Sequence, residues 1–509
     1  MIRLAEDAAA AVSPTRGAAA ASTDERRYRT IALTVVLMGV MITAVDTTIV
    51  VLGLPVMMQR LHANMVGMVW VIMAYLLVLT MTTTQLGRFG DMYGRVRMYN
   101  LGFAVFTAGS LLCGLAGGAG QLVAFRIVQG LGGALVSANS GAIIADTVPP
   151  AERGRAYGLT AIGWNVGAVL GILLGGLIIT FVNWRYIFFI NLPIGTAGLL
   201  MGLRVLRERS PRMARGLDLP GTGLLGAGLL LVLLALTNAS GAGWTTAVSV
   251  RMGVGLLFLV ALVLWERRCP VPLVDLELLR HRVLTSSVLA AFFQSLGSYA
   301  VIFLVIMYLQ GVRGLSPFAA ALLLIPGYVV GGLVAPYAGR IADRHGARVP
   351  ASLGLALQAA AFVLYATLGV RTPLWIVVSA ALINGIGSAF FFPANSSAVM
   401  ANAPAGSYGV ASGLLRTMSN IGMVASFAIA LLAAAAAIPR QAAFAIFLGV
   451  SRLTSSLAHG FVRGLHAALF TAIALMLVAL LLSVLRGEER RGGHGTAGAG
   501  AAGAGDGGS

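Results

Sequence analysis

The sequence contains no lysine, so all 35 of its basic residues are arginine. The Gly-rich loop that binds nucleotide phosphates ends in Lys followed by Ser or Thr, and this chain therefore has no such loop. Charge of either sign is scarce: 10% of the residues are charged, while 58% are hydrophobic. Soluble domains carry about 25% charged residues. This composition excludes that class and indicates a polytopic membrane protein.

Cysteine and histidine are also rare. Cys113 falls in a predicted helix and Cys269 in a loop on the other side of the predicted membrane, so we expect no disulfide. The six histidines are scattered without the spacing of metal ligands, and no metal site is expected. No pairing of a nucleophile with a base, and no carboxylate pair, is visible. We therefore do not expect an enzyme.

Apolar runs long enough to cross a bilayer, which takes about 20 residues, predict fourteen transmembrane helices. Arginines are concentrated in the loops on one side, and the positive-inside rule assigns that side and both termini to the cytoplasm. The net charge of +18 then reflects topology and contact with anionic lipids. Nucleic acid is not an expected partner. The runs, numbered helix 1 to helix 14 in chain order, lie near residues 31–53, 68–86, 98–117, 121–145, 157–180, 186–203, 221–238, 248–265, 285–309, 318–338, 351–369, 374–399, 409–437 and 466–485.

A short charged loop occurs twice, as GRFGDMYGRVR from Gly87 and as GRIADRHGARV from Gly339. Two weaker matches follow in the same order, around Asn139 and Asn395 and then around Tyr157 and Tyr408. Similarity at a nearly fixed offset is typical of a duplicated domain, and internal repeats of this kind build transporters. The chain therefore contains two related membrane halves.

Eight predicted helices lie between the two loops, although adjacent six-helix repeats would place only six there. The two additional helices are those at 221–238 and 248–265. They either separate the two halves or fill a lipid-facing position. The predicted organisation is a disordered cytoplasmic tail, a six-helix half, a linker with the two inserted helices, a second six-helix half and a disordered Gly/Ala-rich tail, at residues 1–29, 30–204, 205–283, 284–486 and 487–509.

Several motifs together resemble the major facilitator superfamily, and within it the fourteen-helix drug:proton antiporter family of the bacterial multidrug efflux type. The resemblance covers about residues 30–486. It implies an all-α integral membrane protein with the major facilitator fold. The motifs are AVDTTIVVLGLP in helix 1, WVIMAYLL in helix 2, GRFGDMYGRVR in the following loop, RIVQGLGGA in helix 4 and NWRYIFFINLPIG at helix 6.

The resemblance implies a secondary active exporter of lipophilic or amphiphilic drugs or antibiotics, located in the bacterial cell membrane and working by alternating access. The expected energy source is a proton gradient, without a cofactor. Its expected partners are small lipophilic substrates, protons and membrane lipids, and a monomer is expected to function. The alternatives are a dedicated lipid or natural-product exporter of the same fold and a non-transporting membrane sensor or scaffold.

Charge at bilayer depth is costly, about 2.5–3.5 kcal/mol on insertion scales, so such residues usually have a function. Asp46 in helix 1 is the only carboxylate well inside a predicted helix, and Arg126 lies near the outer start of helix 4. The resemblance places both on the proton pathway, and we expect them to couple protons to transport. The alternative is a permanent ion pair between them. Arg416 in helix 13 is interpreted as a structural or snorkelling residue, with a state-dependent gate as the alternative.

The repeated loop is expected to form a conformational latch at the cytoplasmic face. By resemblance, Asp91 pairs with Arg95, and Asp343 with Arg340. A solvated turn with only a topogenic role is the alternative. The residues assigned to the latch are Gly87, Arg88, Asp91, Gly94, Arg95, Gly339, Arg340, Asp343 and Gly346.

Helix 5 resembles the antiporter signature helix, except that Ile172 replaces the usual proline, which removes an expected kink. Its glycines recur at spacings near four and predict a face that approaches the opposite half closely, or else ordinary packing of small residues. Leucine at Gly171 is expected to impair cycling more than folding. The glycines assigned to this helix are Gly158, Gly167, Gly171, Gly175 and Gly176.

Aromatic and amide side chains in both halves form a candidate substrate lining, because aromatic surfaces with few fixed charges suit varied lipophilic ligands. Any one of them could equally be a packing residue. They are Trp70, Tyr75, Gln129, Asn139, Trp164, Asn165, Gln294, Tyr299, Asn384, Phe391 and Asn395.

The predicted topology can be tested by labelling single cysteines in a protein from which Cys113 and Cys269 have been removed. Cysteines in either tail, or in the loop at 87–97, should be protected from an impermeant reagent added outside intact cells, because the arginine asymmetry places all three inside. Labelling of either tail from outside would overturn the orientation.

Overall fold

The computed structural model describes residues 15–149, 153–209, 216–273, 278–403, 408–437 and 455–487, and the regular elements in these ranges are helices. Fourteen spans are long and apolar enough to cross a membrane. The predicted helix count and the all-α class are therefore confirmed. The sixth span is described as a short helix α6a and a longer helix α6b, joined at Ile190, which keeps helical φ and ψ of −61° and −25°.

The first six spans form the N half, the next two the inserted pair, and the last six the C half. Short connections join most neighbours, and helix starts are capped by side chains such as Asn64, which accepts a hydrogen bond from the Gly67 amide. The helices are α1 (Thr15–Arg60), α2 (Met65–Tyr93), α3 (Arg95–Leu115), α4 (Ala119–Thr147), α5 (Arg153–Phe181), α6a (Tyr186–Phe189), α6b (Asn191–Val205), α7 (Leu219–Ala242), α8 (Thr246–Glu266), α9 (Arg282–Met307), α10 (Pro317–His345), α11 (Arg348–Tyr365), α12 (Trp375–Asn402), α13 (Tyr408–Ala436) and α14 (Ser455–Leu485).

Helix α1 begins at Thr15, so residues 15–29, which were predicted to be disordered, are helical. The segment is rich in alanine, the residue with the highest helix propensity. Glu25 accepts hydrogen bonds of 2.7 and 2.9 Å from Arg209, which follows α6b, and pairs with Arg29 one turn away. These contacts attach the start of α1 to the end of the N half. The remaining tail residues, 1–14 and 488–509, lie outside the described residues.

The two halves pack with the same pairing of helices. In the N half α1 packs on α5, α2 on α4 and α3 on α4; in the C half the matching pairs are α9 with α13, α10 with α12 and α11 with α12. Gly94 and Gly346, at the same position of the repeated loop, both adopt positive φ, 111° and 88°. A residue with a Cβ would be strained there, which explains why both copies keep glycine.

Two helix pairs bring the halves together, α5 against α10 and α2 against α13, and the repeat relates one pair to the other. Near the face predicted to be extracellular, the Phe318 amide donates to Thr180 Oγ1 at 3.1 Å. At the same face, Gln310 donates to the Leu52 carbonyl at 3.2 Å. Nearer the opposite face, Arg416 donates to the Ser137 carbonyl at 3.3 Å. Arg416, interpreted from the sequence as structural or snorkelling, therefore makes a contact between the halves.

The inserted pair packs against the crossing of α2 and α13. Helix α7 contacts both of these helices, whereas much of α8 is exposed. Three side chains of the N half donate hydrogen bonds to the pair and its connectors: Trp70 donates to Thr237, Gln85 to the Asp218 carbonyl, and Arg88 to the carbonyls at 271 and 272. Leu432 of the C half packs on an apolar cluster of the pair. Helix α7 thus touches both halves, and α8 provides lipid-facing surface.

The glycines of α5 face two different neighbours. A Cβ at Gly167, Gly171 or Gly175 would lie 2.7–2.9 Å from atoms of α1 in the same half. A Cβ at Gly176 would lie 2.9 Å from the Phe318 Cα of α10, in the other half. The expectation that this face approaches the opposite half is therefore wrong for the first three residues, because the glycine stripe is occupied by α1. The surroundings of Gly158 lie outside the described residues. Helix α5 runs without interruption past Ile172.

These contacts separate a folding role from a cycling role on one helix. Gly171→Leu should lower the yield and thermal stability of the protein, because the side chain would enter the backbone of α1 at Val45. Gly176→Leu should leave each half folded but disturb the contact with α10 and change the transport rate. Thermal unfolding and transport, measured on both variants, check this. Equal stability loss in both variants would contradict the assignment.

Candidate functional site

The two charges predicted at bilayer depth meet inside the N half. Arg126 Nη1 of α4 donates to Asp46 Oδ2 of α1 at 2.6 Å. The two side chains are 1% and 0% exposed. A buried ion pair is maintained only where the geometry is good and further hydrogen bonds satisfy the remaining polar atoms.

Those further hydrogen bonds come from two amide side chains, one on α4 itself and one on α6b. Asp46 Oδ1 accepts from Gln129 Nε2 at 2.8 Å and from Asn191 Nδ2 at 3.0 Å. Gln129 Nε2 also donates to Ser110 Oγ at 2.7 Å, and its Oε1 accepts from Arg126 at 2.6 Å. Helices α1, α3, α4 and α6b therefore converge on one carboxylate. We call Asp46, Ser110, Arg126, Gln129 and Asn191 the N-half polar cluster.

Arg126 is fixed by α2 as well. Its Nε donates to the Val71 carbonyl at 3.1 Å, and its guanidinium lies 4.2 Å from the ring centre of Tyr75, a cation–π contact. The Tyr75 hydroxyl fits because Gly133 has no side chain, since a Cβ there would lie 2.6 Å from the phenolic oxygen. Close helix packing thus places the cation between an aromatic ring and the carboxylate.

Asp46 and Arg126 carry opposite charges inside the cluster and face each other in this conformation. Protonation of Asp46 would remove the negative charge that balances Arg126. It would also weaken the carboxylate as an acceptor for the amides of Gln129 and Asn191. The ion pair that the sequence left as the alternative to proton coupling is formed in this conformation. A proton bound to Asp46 would disrupt this ion pair.

The C half holds a related but uncharged cluster. Gln294 of α9 donates to Gln358 Oε1 of α11 at 2.9 Å and to Ser298 at 3.2 Å. Gln294 and Gln358 are buried. Since α9 corresponds to α1 in the repeat, both halves have a polar centre on their first helix, but only the N-half centre is charged.

In the first copy of the repeated loop, Arg95 lies between two carboxylates. It contacts Asp91 at 2.7 Å and Asp146, at the end of α4, at 2.6 Å. Arg88 donates to the carbonyls of Val271 and Pro272 beyond α8. Gly87 faces Ala138, so the loop packs on α4.

In the second copy, Gly339 faces Pro393 of α12 in the same way that Gly87 faces α4. The Arg340 guanidinium lies 5.7 Å from the ring centre of Tyr337. The side chain of Asp343 lies outside the described part of the structure, so its predicted pairing with Arg340 stays a prediction. The two loops thus share their glycine packing.

The candidate substrate lining is not gathered around one space. Trp70 contacts Thr237 of the inserted pair. Trp164 and Asn165 lie on α5, and Asn165 faces Gly332 of the other half. The predicted substrate contacts of these two residues, and those of Tyr299 and Asn384, stay predictions. Each of the six remaining side chains is buried inside its own half. In the N half these are Tyr75, Gln129 and Asn139, and in the C half Gln294, Phe391 and Asn395.

Their contacts give the physical reason. Asn139 packs on Gly90 and donates to the Leu135 carbonyl of its own helix, while Asn395 donates to the Ser287 carbonyl of α9. Buried amides are usually hydrogen-bonded, and the Nδ2 atoms of these two find their acceptors inside their own half. They act as packing residues here, as the alternative interpretation allowed.

Sequence reasoning missed Ser110 and Asn191 of the polar cluster, and two buried acids outside it. Asp218 caps α7 and accepts from Trp265 Nε1 at 2.8 Å, and Glu266 ends α8. A signal for Asn191 was present, since a polar residue follows the apolar stretch YIFFI and precedes Pro193. Nothing in the local sequence distinguishes Ser110 from any other small residue of a membrane helix.

Comparison with known proteins identifies the family to which these features belong. The model of the Major Facilitator Superfamily matches residues 36–427. The tetracenomycin C resistance and export protein of Streptomyces glaucescens is 30% identical over 394 residues, which cover 77% of this chain and 73% of that protein. The riboflavin transporter RibZ of Clostridioides difficile is 28% identical over 396 residues, covering 78% and 86%.

Among solved structures, a bacterial homologue of the human lysosomal transporter Spinster, in an inward-facing and unoccupied conformation, has a TM-score of 0.65 to this chain. Sequence identity is 17%, and the match covers 90% of this chain and 97% of that one. At this identity the similarity concerns the fold alone.

Removing one charge of the buried pair should destabilise the protein more than removing both. Arg126→Leu leaves Asp46 buried without its cation and should lower the free energy of unfolding by about 3–5 kcal/mol. The double variant Asp46→Leu/Arg126→Leu should recover part of that loss, because no uncompensated charge remains. Denaturant unfolding in detergent measures both. The coupling would be contradicted if the double variant lost more free energy of unfolding than the two single variants lose together.

Proposed function

The chain belongs to the Major Facilitator Superfamily, and from this premise we propose that it is a proton-coupled antiporter that exports lipophilic or amphiphilic drugs or antibiotics across a bacterial cell membrane. The proposal includes alternating access by a monomer, powered by the proton gradient without a cofactor. The relative named for tetracenomycin C resistance and export supports the substrate class and the direction.

The single observation that carries the proposal is the buried pair of Asp46 and Arg126. A charge pair inside a membrane protein is expensive and is retained where it has a function. Its position on the first and fourth helices of one half, with an uncharged counterpart in the other half, makes it the natural site of energy coupling.

Helix α1 connects this charge pair to the contact between the halves. Leu52, whose carbonyl accepts a hydrogen bond from Gln310 of the C half, lies six residues after Asp46, about 9 Å along the helix. Protonation of Asp46 would release α1 from α4 and shift it relative to Gln310. A proton from outside would thereby favour one arrangement of the halves, and its release inside would restore the other.

Substrate binding is proposed to compete with the proton. A protonated Asp46 exerts no attraction on a cationic group, so proton uptake from outside promotes release of a cationic substrate there. Deprotonation on the inside restores binding. Arg126 modulates this competition, because it is the cation that already faces Asp46. The loop with Asp91, Arg95 and Asp146 is proposed to hold one state of the cycle by its charge-assisted hydrogen bonds.

A second candidate function is a transporter dedicated to a single metabolite or natural product, and the riboflavin transporter among the relatives favours it. The two candidates differ in the breadth of substrates. A panel of cationic, neutral and anionic compounds, tested for transport in inverted vesicles with an imposed proton gradient, distinguishes them: several unrelated lipophilic substrates indicate a drug exporter, and a single substrate indicates the dedicated transporter.

Asp46→Asn tests the coupling directly. The variant should insert normally and lose gradient-driven export, because the amide cannot take up a proton, while still binding or exchanging neutral substrates. Transport with and without the gradient is measured in inverted vesicles. Glu25→Gln is the matched control, since it removes an acid from the same helix outside the cluster.

An Asp46→Asn protein that pumps at the normal rate and with the normal pH dependence would overturn this assignment. In that event the carboxylates to examine next are Asp91 and Asp146 in the latch, followed by the buried Asp218 and Glu266.

A further inference from the structure

Asn191 occupies an unusual position in the N-half polar cluster. It is the first residue of α6b, directly after the junction with α6a, and it is 0% exposed. Its Nδ2 donates to Asp46 Oδ1 at 3.0 Å and to Ser110 Oγ at 3.4 Å. Its Oδ1 is buried as well but accepts no hydrogen bond. A buried acceptor without a donor is unfavourable, and its presence calls for an explanation.

The other amide of the cluster shows the contrast. Gln129 donates through Nε2 to Asp46 and Ser110, and its Oε1 accepts from Arg126 and, at 3.6 Å, from Cys113 Sγ. Both ends of this amide are engaged, so Gln129 is suited only to the arrangement in which Asp46 is a carboxylate. Asn191 has one end engaged and one end vacant.

We propose that Asn191 is the residue that responds to the protonation state of Asp46. With a carboxylate present, the amide donates through Nδ2, as observed. With a carboxylic acid present, Asp46 carries an O–H that needs an acceptor, and rotation of the Asn191 amide by about half a turn brings Oδ1 to that position. One proton is added to Asp46 from solution and later returned, and no other bond changes. This role rests on the proposed function.

Three side chains donate hydrogen bonds to Asp46, and of these Asn191 is the one with a vacant acceptor. The titratable or charged side chains that face Asp46 in the described residues are Arg126 from α4, Tyr75 from α2 and Cys113 from α3. Arg126 can only donate, and its ion pair would be lost. Arg185, which precedes α6a, donates to the carbonyls of Gly114 and Ala116 and does not take part.

The position of Asn191 in the sixth span favours such a switch. It lies at the junction of α6a and α6b, and Pro193 follows two residues later. Proline has no backbone N–H, so this turn lacks one helical hydrogen bond and its start can adjust when the hydrogen bonds of Asn191 change. The proton state of α1 would in this way reach α6b as well as α4.

Infrared difference spectroscopy on the purified full-length protein in lipid nanodiscs, between acidic and alkaline buffer, tests the inference. A carboxyl C=O band that disappears in Asp46→Asn should be accompanied by an amide band that shifts with ¹³C-asparagine and disappears in Asn191→Ser. In vesicles, Asn191→Leu should reduce gradient-driven export by about tenfold, and Asn191→Ser, whose hydroxyl donates and accepts, should recover part of it.

The outcomes separate the two proposals. A carboxyl band from Asp46 without any amide band from Asn191 sinks the switch and leaves the coupling role of Asp46 intact. Absence of the Asp46 band removes the proposed coupling site itself, and the switch with it. If Asn191→Leu fails to fold, the spectra of the native and Asn191→Ser proteins still decide, since they do not depend on that variant.

Discussion

The ion pair of Asp46 with Arg126 is the interaction on which the architecture of the N half depends. A carboxylate and a guanidinium without exposure to solvent must be compensated within the protein, and five of the six spans of this half supply the partners. The close approach of α2, α3 and α4 follows from this requirement. At Gly109, for example, a Cβ would lie 2.6 Å from the Gln129 Cα. Glycine at such contacts lets the helices approach closely enough for the hydrogen bonds to form.

The two halves share a scaffold but differ in chemistry. The repeat reproduces helix pairing, the positive φ of Gly94 and Gly346, and the packing of the loop glycines on α4 and α12. It does not reproduce the charge, because the polar centre of the C half consists of Gln294, Gln358 and Ser298. Among the described residues, the duplicated frame thus carries an ion pair in the polar centre of the N half and amide and hydroxyl groups in that of the C half.

The inserted pair modifies this frame without replacing either contact between the halves. Helix α7 lies beside α2 and α13, and Trp265 of α8 donates to Asp218 at the start of α7, which keeps the pair together at one end. Hydrogen bonds join the pair to the N half, and apolar side chains meet the C half. Because hydrogen bonds are directional, those to the N half fix the position of the pair on that half.

The sequence by itself determined the membrane class, the helix count and the duplication, because these follow from the length of apolar runs and from a motif repeated at a fixed offset. It also singled out Asp46 and Arg126, since charge is so rare in these helices. Only the tertiary structure decided which surfaces meet: Gly171 faces α1, Gly176 faces α10, and Asn191 lies on Asp46. Helical periodicity defines the faces of a helix but not the neighbour of each face, and that neighbour is fixed by packing between segments distant in the chain.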